Sequence, residues 1–152
     1  MPSDSIAPPT PVASADRLEL QDFYARQVRF LDALDVEGFA STFTEEGTLV
    51  HESGAILAGR EAMLADMRRK LPAYSNVQTK HWFSQFLYEQ HDGYISADYY
   101  AALTITDETG RVTLKGDFTV VDRLVVADRT FEIVHRQITG AVTVKKEKNL
   151  AS

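Results

Sequence analysis

The sequence predicts an α+β fold in which three N-terminal helices pack on a strongly curved, mainly antiparallel sheet that encloses a pocket. Apolar residues recur at helical spacing in the first half of the chain, and from Val77 onward they alternate with polar residues in steps of two. Turn sequences at Asp92-Gly93, Thr109-Gly110 and Asp128-Arg129 divide this second half into long strands joined as hairpins. Helices that precede an antiparallel meander pack together on one face of its sheet.

The first helix is predicted from a capping-box-like start at Asp16 and Glu19, followed by apolar residues at the helical period. Asp35 is predicted to cap a second, shorter helix. This helix is expected to end at Glu46-Gly47, because glycine can take the left-handed conformation that terminates a helix. Residues 48–51 then have the pattern of a short strand.

The third helix has the clearest boundaries in the sequence. It is predicted to open at Gly59 and to end before Pro72, which cannot continue a helix. Basic residues occupy its last turn, where they face the negative end of the helix dipole.

Both ends of the chain are predicted to be disordered. Residues 1–15 contain four of the five prolines among serine, threonine and alanine, a composition that cannot build a core. Residues 145–152 are polar and are predicted to fray. The folded domain is therefore predicted to span residues 16–144.

Composition and charge argue against several classes of function. The 152-residue chain is 44% hydrophobic and 25% charged, which is typical of one globular domain. Its net charge of −6 and its lack of a basic stripe argue against nucleic acid as a partner. There is no cysteine, no apolar run near the ~20 residues of a membrane span and no signal-peptide pattern. We therefore expect a cytoplasmic protein that does not bind membranes.

The sequence contains no motif for a metal or a cofactor. The four histidines show neither H-x-x-x-H nor H-x-H spacing. A glycine-rich phosphate loop and a G-x-S-x-G elbow are also absent, which argues against nucleotide binding and serine hydrolysis. We expect a site that works without a metal or a cofactor.

Several segments resemble the SnoaL-like branch of the nuclear transport factor 2-like superfamily. They are Phe23-Tyr24-Ala25-Arg26-Gln27, Leu31-Asp32-Ala33-Leu34-Asp35, Phe39, Thr42-Phe43-Thr44-Glu45-Glu46-Gly47, Gly59-Arg60-Glu61-Ala62 and His81-Trp82. The resemblance covers about residues 18–139 and implies a cone-shaped domain with a pocket and, commonly, a homodimer. That branch includes polyketide cyclases, scytalone dehydratase and tailoring proteins of aromatic polyketide pathways such as the actinorhodin type. Because the superfamily also contains isomerases, epoxide hydrolases, dioxygenase small subunits and binding modules, the fold alone does not name a reaction.

Asp32 and His81 are the first two candidates for catalysis. Asp32 borders the apolar stripe of the first helix near its C-terminal end, where a negative charge opposes the helix dipole. His81 opens the first long strand, and imidazole is the usual proton shuttle of enzymes. The structural alternatives are an exposed helix carboxylate and a core histidine bound to backbone groups. The resemblance implies that both residues match catalytic residues of scytalone dehydratase.

Asp98 is the third catalytic candidate, and Tyr100 beside it is a substrate-binding candidate. Both lie on one face of the strand predicted over residues 94–106, together with Tyr94 and Ser96. Regular alternation directs this face to solvent, whereas the concave face of a cone would make it a polar pocket, so both readings stay open. Asp98 stands where scytalone dehydratase has a second histidine, which argues against the identical dehydration.

Tyr24, Phe83 and Gln85 are further substrate-binding candidates. Tyr24 lies on the first helix and belongs to the resemblance described above. Phe83 and Gln85 share the face of His81 if the strand alternates regularly. Aromatic side chains in the pocket would suit a flat, largely apolar substrate.

His135 and Arg136 complete the set of substrate-binding candidates. They lie on opposite faces of the last strand. Arg136 matches a recurrent arginine of the SnoaL-like branch, and it could either bind a substrate carboxylate or form a structural ion pair. His51, at the end of the short strand, is a pocket-lining candidate only.

The sequence therefore predicts a cofactor-independent lyase, isomerase or cyclase that acts on an aromatic or polyketide-like intermediate. His81 would move a proton next to a substrate carbonyl, and Asp32 would fix its tautomer. Tyr24, Asp98 or Tyr100 would polarise that carbonyl or protonate a leaving hydroxyl. Two alternatives stay open: a non-catalytic small subunit of a ring-hydroxylating dioxygenase, and a ligand carrier with the same pocket.

Overall fold

A computed structural model describes residues 7–140 of the protein, and the predicted tail lies outside these described residues. The helices are α1 (Ser14–Asp32), α2 (Val36–Ser41) and α3 (Arg60–Lys70), the last followed by a 3-10 turn (Leu71–Tyr74). The strands are β1 (Thr10–Pro11), β2 (Phe43–Val50), β3 (Ile56–Ala58), β4 (Gln78–Gln90), β5 (Ile95–Thr106), β6 (Val112–Ala127) and β7 (Thr130–Gly140). They form a seven-stranded sheet in the order β1-β4-β5-β6-β7-β2-β3, in which β2 and β7 pair in parallel and the other neighbours antiparallel. The predicted fold, with helices packed on a curved and mainly antiparallel sheet, is confirmed.

The helix ends follow the local chemistry of the sequence. Asp35 caps α2 as predicted, because its Oδ1 accepts a hydrogen bond from the backbone N of Gly38 at 2.9 Å. α3 has its basic residues in the last turn, as its dipole favours. None of the helices within residues 7–140 is long and apolar enough to cross a membrane.

The prediction of a disordered arm over residues 1–15 is wrong for its second half, whereas residues 1–6 lie outside the described part of the chain. Thr10 and Pro11 pair with Gln90 and Glu89 at the edge of β4, and the Val12 side chain is buried. Proline is tolerated there because an edge strand does not need every backbone N–H for its ladder. α1 also begins at Ser14, ahead of the expected capping box, and has no side-chain cap. Composition alone missed this segment because its order comes from pairing with a distant strand.

The segment around Gly47 is a strand where the sequence predicted the end of a helix. β2 begins at Phe43, and its register against β7 shifts between Phe43 and Thr48. A Cβ on Gly47 would lie 2.9 Å from the carbonyl oxygen of Ile133. Glycine is therefore required for the close approach of two backbones rather than for a helix end.

The core lies between one face of α1 and the inner face of the sheet. Leu20, Phe23 and Tyr24 of α1 are buried against Ala97 and Tyr99 of β5. Because these β5 residues alternate with exposed ones, β5 turns its odd-numbered side chains inward over this stretch.

A β-bulge in β4 reverses the expected orientation of several side chains. Gln85 has a positive φ of 58°, and the register against β5 shifts between Ser84 and Leu87. Before the bulge His81 and Phe83 face the interior, but beyond it Gln85 and Leu87 are exposed. The expectation that Gln85 shares the inner face with His81 is therefore wrong, because one extra residue moves the following side chains to the other face.

The left-handed conformation of Gln85 leads to a test of the bulge. We expect Gln85→Gly to leave the free energy of unfolding unchanged or slightly higher, because glycine adopts positive φ without steric cost. Gln85→Val should lower it by about 1–2 kcal/mol, since a β-branched residue is strained there. Urea denaturation measures both, with Ser84→Val on the neighbouring exposed position as the control. Equal stability of the Gly and Val variants would contradict a bulge at this residue.

Candidate functional site

A cavity of about 280 Å³ lies between the helices and the concave face of the sheet. Most of its wall is apolar, with side chains that include Leu31, Phe39, Met63, Met67, Phe83 and Val120. Its volume is near the lower end of the range of about 300–1,000 Å³ typical of small-molecule sites. The cavity therefore suits a compact and largely apolar organic molecule.

Asp32 and His81 meet at this cavity. Oδ1 of Asp32 lies 2.9 Å from Nδ1 of His81 and also accepts a hydrogen bond from the His81 backbone N at 2.9 Å. His81 lines the cavity, whereas Asp32, the last residue of α1, is not part of the cavity wall. Their side chains are 25% and 24% exposed.

This geometry fixes the roles of the two ring nitrogens of His81. An ionised carboxylate can only accept hydrogen bonds, so the ring donates to Asp32 from Nδ1–H. In the neutral imidazole Nε2 is then the acceptor. The structure therefore brings Asp32 and His81 together as the sequence predicted, in a geometry that a carboxylate-oriented base would require.

His81 also borders a second, more open groove between α1 and β4. Arg17, Val28 and Arg29 of the helix line this groove, together with Tyr88 of the strand. The groove is more open than the cavity, and its lining is more polar. The cavity is the better candidate site because it surrounds a ligand with apolar side chains on several sides.

A buried polar network lies beneath the cavity and is centred on Asp122. Arg136 donates to both carboxylate oxygens of Asp122, from Nε and Nη2, at 2.8 Å each. The hydroxyls of Tyr24 and Tyr99 donate to Oδ2 of Asp122 at 2.7 and 2.9 Å. Gln27 accepts from Nη2 of Arg136 at 2.6 Å. All five side chains are buried, and their polar groups are hydrogen-bonded except for Nη1 of Arg136.

The electrostatics of the network keep its members in their usual protonation states. Burial first, and the Asp122 carboxylate second, raise the pKa of the Tyr24 hydroxyl well above its ordinary value. Burial dominates the raised pKa of Tyr99 as well. Burial by itself would lower the pKa of Arg136, but the neighbouring Asp122 charge raises it above its ordinary value. The tyrosines therefore stay neutral and the arginine stays charged.

The hydrogen bonds of this network contradict the predicted substrate-binding role of Tyr24. They also decide which of the two roles left open by the sequence Arg136 takes. The Tyr24 hydroxyl is committed to Asp122, and Tyr24 is not part of the cavity wall. Arg136 forms a structural ion pair with Asp122, which is one of the two roles that the sequence left open. Its side chain also lines the cavity. Its bonds use Nε–H and both protons of Nη2, so the two Nη1 protons are outside the network.

Asp98 and Tyr100 lie on the outer face of the sheet, away from the cavity. Asp98 is exposed, and Tyr100 is 58% exposed. Their expected places in the pocket are wrong, because β5 directs its small and aromatic odd-numbered residues inward. Buried and more exposed side chains alternate regularly along this strand, so the polar face is directed to solvent, the first of the two readings given above.

Of the three remaining predicted site residues, one lines the cavity and two do not. Phe83 lines the cavity as expected. Gln85 is carried outward by the bulge in β4. His135 is partly buried but outside the cavity wall, and its Nδ1 pairs with the hydroxyl of Thr48.

Sequence reasoning missed Asp122 and Gln27, and it gave His51 no role beyond lining the pocket. Asp122 follows Val120 and precedes Leu124 on the apolar face of β6, and a carboxylate on such a face is the signal that could have found it. Gln27 likewise stands among the apolar residues of α1. His51, considered only as a pocket-lining residue, lines the cavity beside Asp66 and Lys70.

The Asp122 network leads to a stability test. Asp122→Asn should lower the free energy of unfolding by about 3–5 kcal/mol, because Arg136 would keep its charge in a buried place without a counter-ion. The loss can be measured by urea denaturation. Asp117→Asn, on an exposed position of the same strand, is the matched control and should have little effect. A loss below about 1 kcal/mol for Asp122→Asn would mean that the ion pair is not a buried constraint.

Comparisons with known proteins agree with this description. A family model described as SnoaL-like domain matches residues 12–137. Aln2 from a Streptomyces species is 31% identical, with 86% of this chain and 94% of its own covered and a TM-score of 0.81. ActVI-ORFA from Streptomyces coelicolor is 27% identical, with 84% and 98% covered and a TM-score of 0.78. A Catenulispora acidiphila protein in complex with S-DNPA is 28% identical, with 84% and 95% covered and a TM-score of 0.76.

None of the curated proteins matches the chain by sequence. The family match nevertheless spans most of the chain, and the similar structures share its fold over nearly their whole length. The family and the apolar cavity together describe a small-molecule enzyme or binding protein. The chain belongs to the SnoaL-like family.

Proposed function

We propose that the protein is a cofactor-independent acid/base enzyme, a dehydratase, isomerase or cyclase, that acts on a small aromatic or polyketide-like molecule. The observation that supports this proposal best is the hydrogen-bonded pair of Asp32 and His81 at the wall of an apolar cavity. A general base is most useful where a ligand can meet it without competing water.

In the proposed reaction His81 removes a proton from a carbon next to a substrate carbonyl. Nε2 takes the proton, and the resulting imidazolium is stabilised by Asp32, whose carboxylate lies 2.9 Å from Nδ1. The electron pair left behind moves onto the carbonyl oxygen as an enolate. His81 then returns the proton, either to another carbon in an isomerisation or to a hydroxyl that leaves as water in a dehydration.

Arg136 is proposed to bind the oxygen on which the enolate charge develops. Its guanidinium lines the cavity, and its Nη1 protons are not used by the Asp122 network. Asp122 compensates the arginine charge, so the site can hold a neutral carbonyl before the reaction and a partial negative charge during it. The bound S-DNPA in the similar Catenulispora acidiphila structure supports ligand binding by this family.

The reaction can be tested with 2-tetralone, a bicyclic ketone, by following hydrogen–deuterium exchange next to its carbonyl in D₂O by NMR. The wild-type protein should accelerate the exchange. His81→Ala should slow the catalysed rate by about 10²–10⁴-fold, the usual contribution of a general base. Asp32→Asn should also slow it, because an amide no longer fixes the Nδ1–H tautomer.

The control for this test is His91→Ala, which removes a histidine outside the cavity wall. His91→Ala should catalyse the hydrogen–deuterium exchange of 2-tetralone at the wild-type rate. All the variants should keep the wild-type thermal midpoint. Wild-type exchange in His81→Ala would eliminate the proposal. Tight binding of 2-tetralone without exchange, unaffected by Asp32→Asn and His81→Gln, would favour the ligand carrier.

The outer face of the sheet favours a second property, association with another subunit. Trp82 and Tyr100 are 54% and 58% exposed on this face, and Leu87 and Val121 flank Asp98 in the strand register. Solvent-exposed aromatic and aliphatic side chains in such a group are typical of protein interfaces. We propose that this face forms the expected homodimer. In the small-subunit alternative the same face would bind a dioxygenase large subunit.

Light scattering coupled to size exclusion can test this association. The wild-type chain should elute as a dimer, and Tyr100→Lys should shift it toward the monomer because a charge would be buried at the interface. Val126→Lys, which changes an exposed apolar residue at the far end of β6, is the matched control. A wild-type monomer that forms a stable complex with a dioxygenase large subunit would contradict the homodimer and favour the non-catalytic subunit.

A further inference from the structure

His51 gives the cavity a second polar wall. The residue follows β2, whereas His81 lies on β4, and the strands β5, β6 and β7 separate β2 from β4 in the sheet. Both histidines line the same cavity. A ligand that spans the concave surface can therefore meet one imidazole at each side.

The Nε2 atom of His51 is buried and has no hydrogen-bond partner among residues 7–140. Oδ2 of Asp66 lies 3.8 Å from this nitrogen, which is beyond hydrogen-bond distance. Buried polar atoms are nearly always paired in folded proteins, because leaving one unpaired costs free energy. Because His51 lines the cavity, a bound molecule that reaches this nitrogen can supply the missing partner.

Asp66 does not move to satisfy His51 because other groups already hold it. Its carboxylate pairs with Lys70 at 2.8 Å and also with Arg69 on α3. Lys70 and Glu52 line the cavity beside His51. Burial and the Lys70 charge lower the pKa of His51, so its imidazole is neutral at pH 7.

We propose that His51 is a ligand-recognition residue whose Nε2 forms a hydrogen bond with a hydroxyl group of the bound aromatic molecule. A neutral imidazole nitrogen either accepts or donates, depending on the tautomer, and a hydroxyl can do both. This inference rests on the proposed function in that it places the ligand in the same cavity. It adds that the substrate carries oxygen groups at two separated positions, one toward His81 and one toward His51.

The test compares the binding of 2,6-dihydroxynaphthalene and 2-naphthol by isothermal titration calorimetry. These flat probes differ only in the second hydroxyl. The wild-type protein should bind the diol about three- to tenfold more tightly than 2-naphthol, the range expected for one net hydrogen bond. His51→Leu removes the nitrogen and should bind the two probes equally. His51→Gln keeps a polar group and should retain part of the preference.

His91→Phe is the matched control, and it should keep the full wild-type preference because His91 lies outside the cavity wall. A measurement that needs no variant follows the ¹⁵N chemical shift of His51 Nε2 in the wild-type protein. This chemical shift should change when 2,6-dihydroxynaphthalene binds. That measurement decides the case if His51→Leu lowers the thermal midpoint.

The outcomes separate this inference from the proposed function. A diol preference that persists in His51→Leu, or a wild-type protein that binds both probes equally, overturns the role of His51. Such a result leaves the 2-tetralone test of His81 untouched. If neither probe binds the wild-type protein, the proposed role of His51 is also contradicted. If only the exchange of 2-tetralone is absent, the result contradicts the proposed reaction and not the role of His51.

Discussion

The buried pair of Asp122 and Arg136 is the constraint on which the arrangement of the domain depends. Tyr24 and Gln27 bring α1 to this pair, and Tyr99 brings β5. Charges in the interior are tolerated only when their hydrogen bonds are complete, so the helix has one position in which every partner is satisfied. The network therefore fixes α1 against the sheet, and its Arg136 also lines the cavity.

The site follows from the position of α1. Because the helix is held near its middle by Tyr24 and Gln27, its last residue, Asp32, is brought to the start of β4. There its carboxylate binds both the backbone and the ring of His81. The network thus holds the fold through Asp122 and its partners, whereas Arg136, His51 and His81 line the cavity.

The sequence predicted the helices, the long hairpins and the meeting of Asp32 with His81, because periodicity and the family resemblance determine these features. It could not predict which side chains of a strand face inward. That depends on bulges such as the one at Gln85, where a single residue reverses every later side chain. It also missed Asp122, since a carboxylate can be buried only when distant partners complete its hydrogen bonds.

In the proposed reaction a ligand in the cavity meets Nε2 of His81. A crystal structure of the protein with 2-tetralone bound tests it most directly. We expect the ketone in the cavity, with the carbon next to its carbonyl facing Nε2 and its oxygen toward Arg136. A ketone bound in the open groove between α1 and β4, or in the cavity with its carbonyl turned away from His81, would contradict the proposed role of His81.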